Sequence, residues 1–134
     1  MLCMDALFTN QNISSVLNSV GELTLLLVGI GSIEPSKLLK ESGNSLSEKE
    51  RKELAKLGAV GDVCMRYFDE NGKSLKTNLD KRIIGISADQ LKKISRRVAV
   101  AGGARKHKAI RAALEGGWIN VLITDHKTAK KLAE

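Results

Sequence analysis

Residues 98–110 read Val-Ala-Val-Ala-Gly-Gly-Ala-Arg-Lys-His-Lys-Ala-Ile. An apolar run of strand length breaks on two glycines and resumes with helical spacing, which predicts a strand, a tight turn and a helix in direct succession. The turn has its own chemistry. Gly102 and Gly103 let the backbone approach an anion, the amides of the helix start point at it, and Lys106 adds a positive charge at the positive end of the helix dipole.

The same alternation runs along the chain. Ile13, Val16, Leu17 and Val20 keep helical spacing, and Leu23 to Val28 is a continuous apolar run of the kind a strand shows when buried on both faces. It ends on Gly29-Ile-Gly-Ser32. Ser47-Glu-Lys-Glu50 and Ser87-Ala-Asp-Gln90 have the spacing of capping boxes, the first opening a helix that runs to Gly58. Between them, Ala59 to Phe68 reads as a strand, Asp69 to Lys73 as a turn and Leu75 to Ile86 as an extended return, a β-hairpin spanning about 59–86. Arg97 to Ala101 and Ile119 to Thr124 are further strands, each leading into a helix, the last one capped by Thr124 or Asp125. Strands alternating with helices predict an α/β domain with a mainly parallel sheet in three layers. Ligands of such sheets sit beyond the carboxyl ends of the strands, where the loops 29–32, 102–106 and 124–128 would share one edge.

A length of 134 residues suits a single domain, 1–134, and the lone proline, Pro35, marks no linker. Aromatic residues make up 3%, so the core is aliphatic. Cys3 and Cys64 have no short spacing, and no signal peptide or membrane-length apolar run is present, which points to the reducing cytoplasm and away from disulfide scaffolds and membrane spans. The net charge of +7 is uneven: residues 1–91 carry 11 Lys and Arg against 12 Asp and Glu, whereas residues 92–134 carry 11 against 3. A basic last third with few aromatics fits a solvated face with an anion pocket better than a surface on which bases stack.

Three groups of residues could bind a ligand. Gly102, Gly103 and Lys106 form the anion cradle, with Arg105 and Lys108 projecting elsewhere on the same turn. Gly29, Gly31 and Ser32 offer amides and a hydroxyl, but this GxG lacks the third glycine of a dinucleotide fingerprint and equally suits a plain turn. Asp62 stands inside an apolar strand, where a carboxylate needs either solvent or polar partners such as the hydroxyls of a polyol. Asp125 is better read as a helix cap. His107 and His126 form no catalytic or zinc-binding set with the cysteines and read as surface residues. No metal or cofactor is implied.

In order and at family-like spacing, the blocks Leu-Val-Gly-Ile-Gly-Ser32, Leu-Gly-Ala-Val-Gly-Asp-Val63 with Arg-Tyr-Phe-Asp69, Arg-Ile-Ile-Gly-Ile-Ser87, Val-Ala-Val-Ala-Gly-Gly103 with Lys106, and Gly-Gly-Trp-Ile-Asn-Val-Leu-Ile-Thr-Asp125 resemble the sugar-binding effector domain of SorC/DeoR-type bacterial transcriptional regulators. The resemblance implies a fold shared with glucosamine-6-phosphate deaminases and ribose-5-phosphate isomerases, in which the Gly103, Lys106, Ala109, Ile110 pattern holds phosphate. Where those enzymes continue into a catalytic Asp-Gly-His, this chain reads Ser-Ile-Glu-Pro35, which implies binding without catalysis. The family's N-terminal helix-turn-helix and the first strands of its effector domain, with their phosphate loop, have no counterpart here. The resemblance therefore places the chain in the C-terminal part of a regulator, which would meet DNA only through a helix-turn-helix that this chain lacks.

The expectation is a non-catalytic domain for a phosphorylated sugar, with an apolar sheet edge covered by a partner chain in a homo-oligomer. An isomerase or deaminase would need Glu34 or Asp62 as general base. A nucleic-acid module would use the basic last third and lose affinity steeply with salt.

Overall fold

Four helices begin where side chains cap them, in a computed structural model that describes residues 2–34, 36–43 and 46–134. Asn10 Oδ1 accepts the Asn12 and Ile13 amides ahead of α2 (Gln11–Ser19). Ser47 Oγ accepts the Glu50 amide while the Glu50 carboxylate accepts the Ser47 amide, opening α4 (Glu48–Lys56). Ser87 and Gln90 make the same exchange ahead of α5 (Ala88–Lys93). Asp125 caps α7 (His126–Ala133) by accepting the Thr128 amide. Each cap satisfies amides that the first helical turn leaves without partners. The remaining helices are α1 (Leu2–Thr9), α3 (Lys37–Glu41) and α6 (His107–Glu115). Pro35 and the side chain of Cys3 lie outside the described residues.

The strands form two sheets. β1 (Leu25–Val28), β5 (Arg96–Val100) and β6 (Val121–Ile123) are parallel in the order β1-β5-β6, with Val28 opposite Ala99 and Val100 opposite Ile123. This register brings the loops that follow all three strands to one edge, as the parallel reading requires. β2 (Gly31–Ser32), β3 (Ala59–Val63) and β4 (Arg66–Asp69) form a separate antiparallel sheet. The fold is α/β, with the parallel order confined to the first sheet.

Two expectations about strands change. The run Leu23 to Val28 does not have both faces buried: Leu26 and Val28 pack on the core, but Leu25 and Leu27 are 54% and 67% exposed. Val100 and Ile123, in register on the same outer face, are 54% and 55% exposed. The hairpin also turns earlier than expected. Val63 pairs with Arg66, so Cys64 and Met65 form a two-residue turn with φ of 52° and 60°. Neither residue type favours that region, and no turn was legible there. The chain turns again at Asp69–Lys73, where the Asp69 carboxylate accepts the amides of Asn71 and Lys73, but the return is not a strand. It makes one bridge, Ser74 to Phe68, and then a 3-10 turn, Asn78–Arg82. The buried Arg66 guanidinium replaces the missing ladder, pairing with Asp80 at 3.0 Å and donating to the Ile86 carbonyl at 2.9 Å.

The main core lies around α6. Ala109, Ile110, Ala112 and Ala113 are buried, and they share one cluster with Ile30, Val63, Phe68, Ala99, Ala101 and Trp118. Alanines let the sheet come close, because a Cβ on Gly61 of β3 would lie only 2.6 Å from the Ala109 Cβ. The Trp118 and Phe68 rings meet at 4.9 Å between centroids, which adds about 1 kcal/mol to the area they bury. A smaller cluster of Leu54, Tyr67 and Leu79 holds α4 against β4 and the 3-10 turn.

Candidate functional site

The antiparallel sheet delivers a carboxylate to the edge of the parallel one. Gly31 pairs with Asp62 across β2 and β3, and the Asp62 carboxylate lies against Gly31, where a side chain's Cβ would collide with Oδ1 and sit 2.9 Å from Cγ. Oδ2 accepts the Met65 amide at 3.0 Å. The left-handed turn aims that amide back at Asp62, at a backbone strain of roughly 1–3 kcal/mol for each such residue. Burial pushes the Asp62 carboxyl above its ordinary value of 3.8, while the Met65 hydrogen bond and the Lys106 charge oppose the shift. Lys106 is the cation whose charge acts on the Asp62 carboxyl, and the two side chains form no ion pair.

Lys106 closes a short 3-10 turn, Ala104–Lys106, that runs into α6, and its amide donates to the Gly103 carbonyl at 3.0 Å. It is half-buried. Arg105 is exposed, and Lys108 pairs with Glu70 at 3.4 Å on the surface, so Lys106 is the one half-buried Lys or Arg side chain of residues 105–108.

Gly102 and Gly103 serve a different partner from the one expected. The Gly103 amide donates to Asp125 Oδ2 at 2.9 Å and to Thr128 Oγ1 at 3.0 Å, so it is not free for a ligand. A Cβ on Gly102 would collide with Asp125 Oδ2 and lie 3.2 Å from Thr124 Oγ1. The paired glycines admit the Asp125 carboxylate, with Gly103 at φ 94°, a backbone region open to glycine. Asp125 is a cap, as read, and also the link between two loops. Accepting from Thr128 and Gly103 pulls its carboxyl down to about 2.

The other residues are less central. Gly29 is exposed with nothing near the position of a Cβ, and Ser32 Oγ donates to the Glu34 carbonyl at 2.9 Å, a local turn contact. Gly31 and Asp62 come together, with Ser32 beside them on β2 and the turn Ala104–Lys106 packed against that strand, and Gly102 and Gly103 stand with Asp125. Two polar groups escaped the sequence reading. Thr128 is buried beside Gly103, which its Asp-x-x-Thr spacing from the cap could have signalled. His107 is not a plain surface residue, since its Nε2 is buried without a hydrogen-bond partner among the described residues.

Among the described residues no group of three or more His, Cys, Asp or Glu could hold a metal ion, and no helix is long and apolar enough to cross a membrane. A family model for a sugar-binding domain matches residues 3–134. The chain belongs to the sugar-binding domain family. Its relatives in that family are transcriptional regulators of the SorC/DeoR type, not enzymes. The erythritol catabolism regulatory protein EryD of Brucella abortus is 38% identical over 128 residues, covering 96% of this chain and 40% of EryD. A DeoR family transcriptional regulator from Listeria monocytogenes superposes with a TM-score of 0.89 at 32% identity, over 97% of this chain and 52% of that one. The full-length sorbitol operon regulator SorC of Klebsiella pneumoniae gives 0.88 at 27% identity, over 99% and 43%. The chain therefore spans about half or less of each of these relatives. For this sugar-binding domain, the comparisons agree with an effector domain without catalysis.

Proposed function

We infer that the domain binds a phosphorylated sugar at the edge where Gly31, Asp62 and Lys106 meet, and that in an intact regulator this binding shifts affinity for operator DNA through linkage between ligand and conformation. The observation that carries the reading is the half-buried Asp62 carboxylate seated against Gly31, within reach of the Lys106 charge. A carboxylate with an oxygen to spare accepts sugar hydroxyls, and a lysine at the start of a helix takes phosphate. Asp62 receives the hydroxyls, Lys106 holds the phosphate with the amides at 104–105, and Gly31 and Ser32 line the floor. Gly29, Gly102 and Gly103 shape the surrounding loops.

A thermal-shift screen of sugar phosphates, with ribose 5-phosphate and glucosamine 6-phosphate among the probes, identifies a binder by the stability it adds to the native state. Lys106→Ala then weakens that binder by about 1.5–3 kcal/mol in calorimetry, the worth of a charge-assisted hydrogen bond. Unchanged affinity removes Lys106 from the site and overturns the reading.

The outer sheet face supports a second element of the reading, that another chain covers it. Leu25, Leu27, Val100 and Ile123 are an apolar patch beside the unpaired edge of β1, with no charge on β1 to discourage pairing. A homo-oligomer in sedimentation supports this, and a stable, monodisperse monomer counts against it.

A further inference from the structure

The two loops that follow β5 and β6 are joined by a single carboxylate. Asp125 Oδ2 accepts the Gly103 amide at 2.9 Å and the Thr128 hydroxyl at 2.6 Å, and Oδ1 accepts the Thr128 amide at 2.9 Å. Among the described residues no basic side chain forms an ion pair with it. Its three protein donors keep it ionised throughout the neutral range, so a full negative charge stands, exposed, on the glycine turn that leads into Lys106.

That charge divides the site. A phosphate drawn to the Gly102–Gly103 backbone would displace Asp125 from the Gly103 amide or sit against its oxygens; the first forfeits that hydrogen bond, and the second sets like charges together at about 1 kcal/mol per unit-charge pair ~4 Å apart in water. A hydroxyl gains there, because it can donate to an ionised oxygen in a short, charge-assisted bond. One turn further on, Lys106 is the part of the loop that attracts an anion.

We propose that Asp125 is a specificity-determining residue of the effector site: it bars phosphate from the Gly102–Gly103 turn and reserves that end for hydroxyl groups, so that phosphate is held at Lys106. This rests on the reading of Lys106 as the phosphate contact.

Asp125→Asn tests the proposal because asparagine caps a helix about as well as aspartate and removes the charge, its NH2 taking the place of one of the two accepting oxygens. Inorganic phosphate is the probe, titrated at pH 7 while backbone amide shifts are followed by NMR. Wild type shows no response at the Gly103 amide, whereas Asp125→Asn binds phosphate at least tenfold more tightly with the Gly103 amide responding. Asp125→Ser, another good cap without charge, gives the same gain and replaces the first variant if that one folds poorly. A residue that served only to hold the loops would lose affinity on substitution, so unchanged or weaker phosphate binding in both variants overturns the proposal, as does a complete lack of binding in all three proteins. Lys106→Ala separates the two readings: if phosphate affinity in Asp125→Asn is indifferent to it, Lys106 is not the phosphate contact, and both readings fall. If it matters but neither charge removal raises affinity, the role of Asp125 alone falls.

Discussion

The Asp62 carboxylate lies directly over Gly31, with Cγ where it would stand 2.9 Å from any Cβ at that position. The two residues are 31 apart in the chain and neighbours across an antiparallel pair. A glycine is needed here to make room for a side chain, not to permit an unusual φ.

Gly31→Ala consequently drives the carboxylate off its seat and away from the Met65 amide. We expect sugar-phosphate affinity to fall by roughly tenfold or more, from loss of a charge-assisted contact, with a stability cost of about 1–3 kcal/mol from overpacking. Calorimetry and thermal unfolding on the same samples check both. Full affinity in a folded Gly31→Ala protein would show that the position of Asp62 does not matter to the ligand.

The titration of Asp62 has a definite sign. Burial raises its folded-state value above 3.8, so the folded protein favours the neutral acid more than the unfolded chain does. The stability this group supports is present below the unfolded value and is lost as pH rises through the folded one. At pH 7 the ionised carboxylate is therefore a net cost in the ligand-free protein, and Asp62→Asn unfolds at a higher temperature than wild type. The difference shrinks as pH falls toward 4. A wild type at least as stable as Asp62→Asn at pH 7 would refute the assignment of burial as the dominant cause.

Gly72 tests the core. It has φ 74°, its carbonyl accepts the Trp118 indole N–H at 2.7 Å, and a Cβ there would collide with the Ala112 carbonyl and lie 2.5 Å from the Gly116 amide nitrogen. These obstacles are backbone atoms at the end of α6, which cannot step aside as a side chain can. Gly72→Ala should cost roughly 3 kcal/mol or more and lower the unfolding midpoint by about 10 °C or more. A loss of less than 1 kcal/mol in denaturant unfolding would mean that the turn and α6 separate easily.

Short-range features were legible because their hydrogen bonds close within a few residues. Ser47 with Glu50, Ser87 with Gln90 and Asp125 with Thr128 are each three positions apart, and all three caps form. The turn at Cys64–Met65 was not legible, since these residues have no preference for φ above zero and are held there by the pairing of Val63 with Arg66. Nor could the strand Leu25–Val28 reveal that only one of its faces is packed, because an apolar residue looks the same in sequence whether covered or waiting for a cover. Of the candidate site, the sequence pointed to Asp62 by its place inside an apolar strand and to Lys106 by its place at a helix start, but that Asp62 lies against Gly31 depends on the pairing of β2 with β3.

By itself the sequence determined where helices begin, that strands and helices alternate, that loops 29–32, 102–106 and 124–128 share an edge, and to which family the motifs point. Those follow from periodicity and local capping, which act over one or two turns. Only the tertiary structure decided what the glycines are for: Gly31 yields space to Asp62, and Gly102 and Gly103 receive Asp125 from 22 residues away rather than an anion from solvent. Close approach is a property of two surfaces, and a glycine shows only one of them until the fold supplies the other.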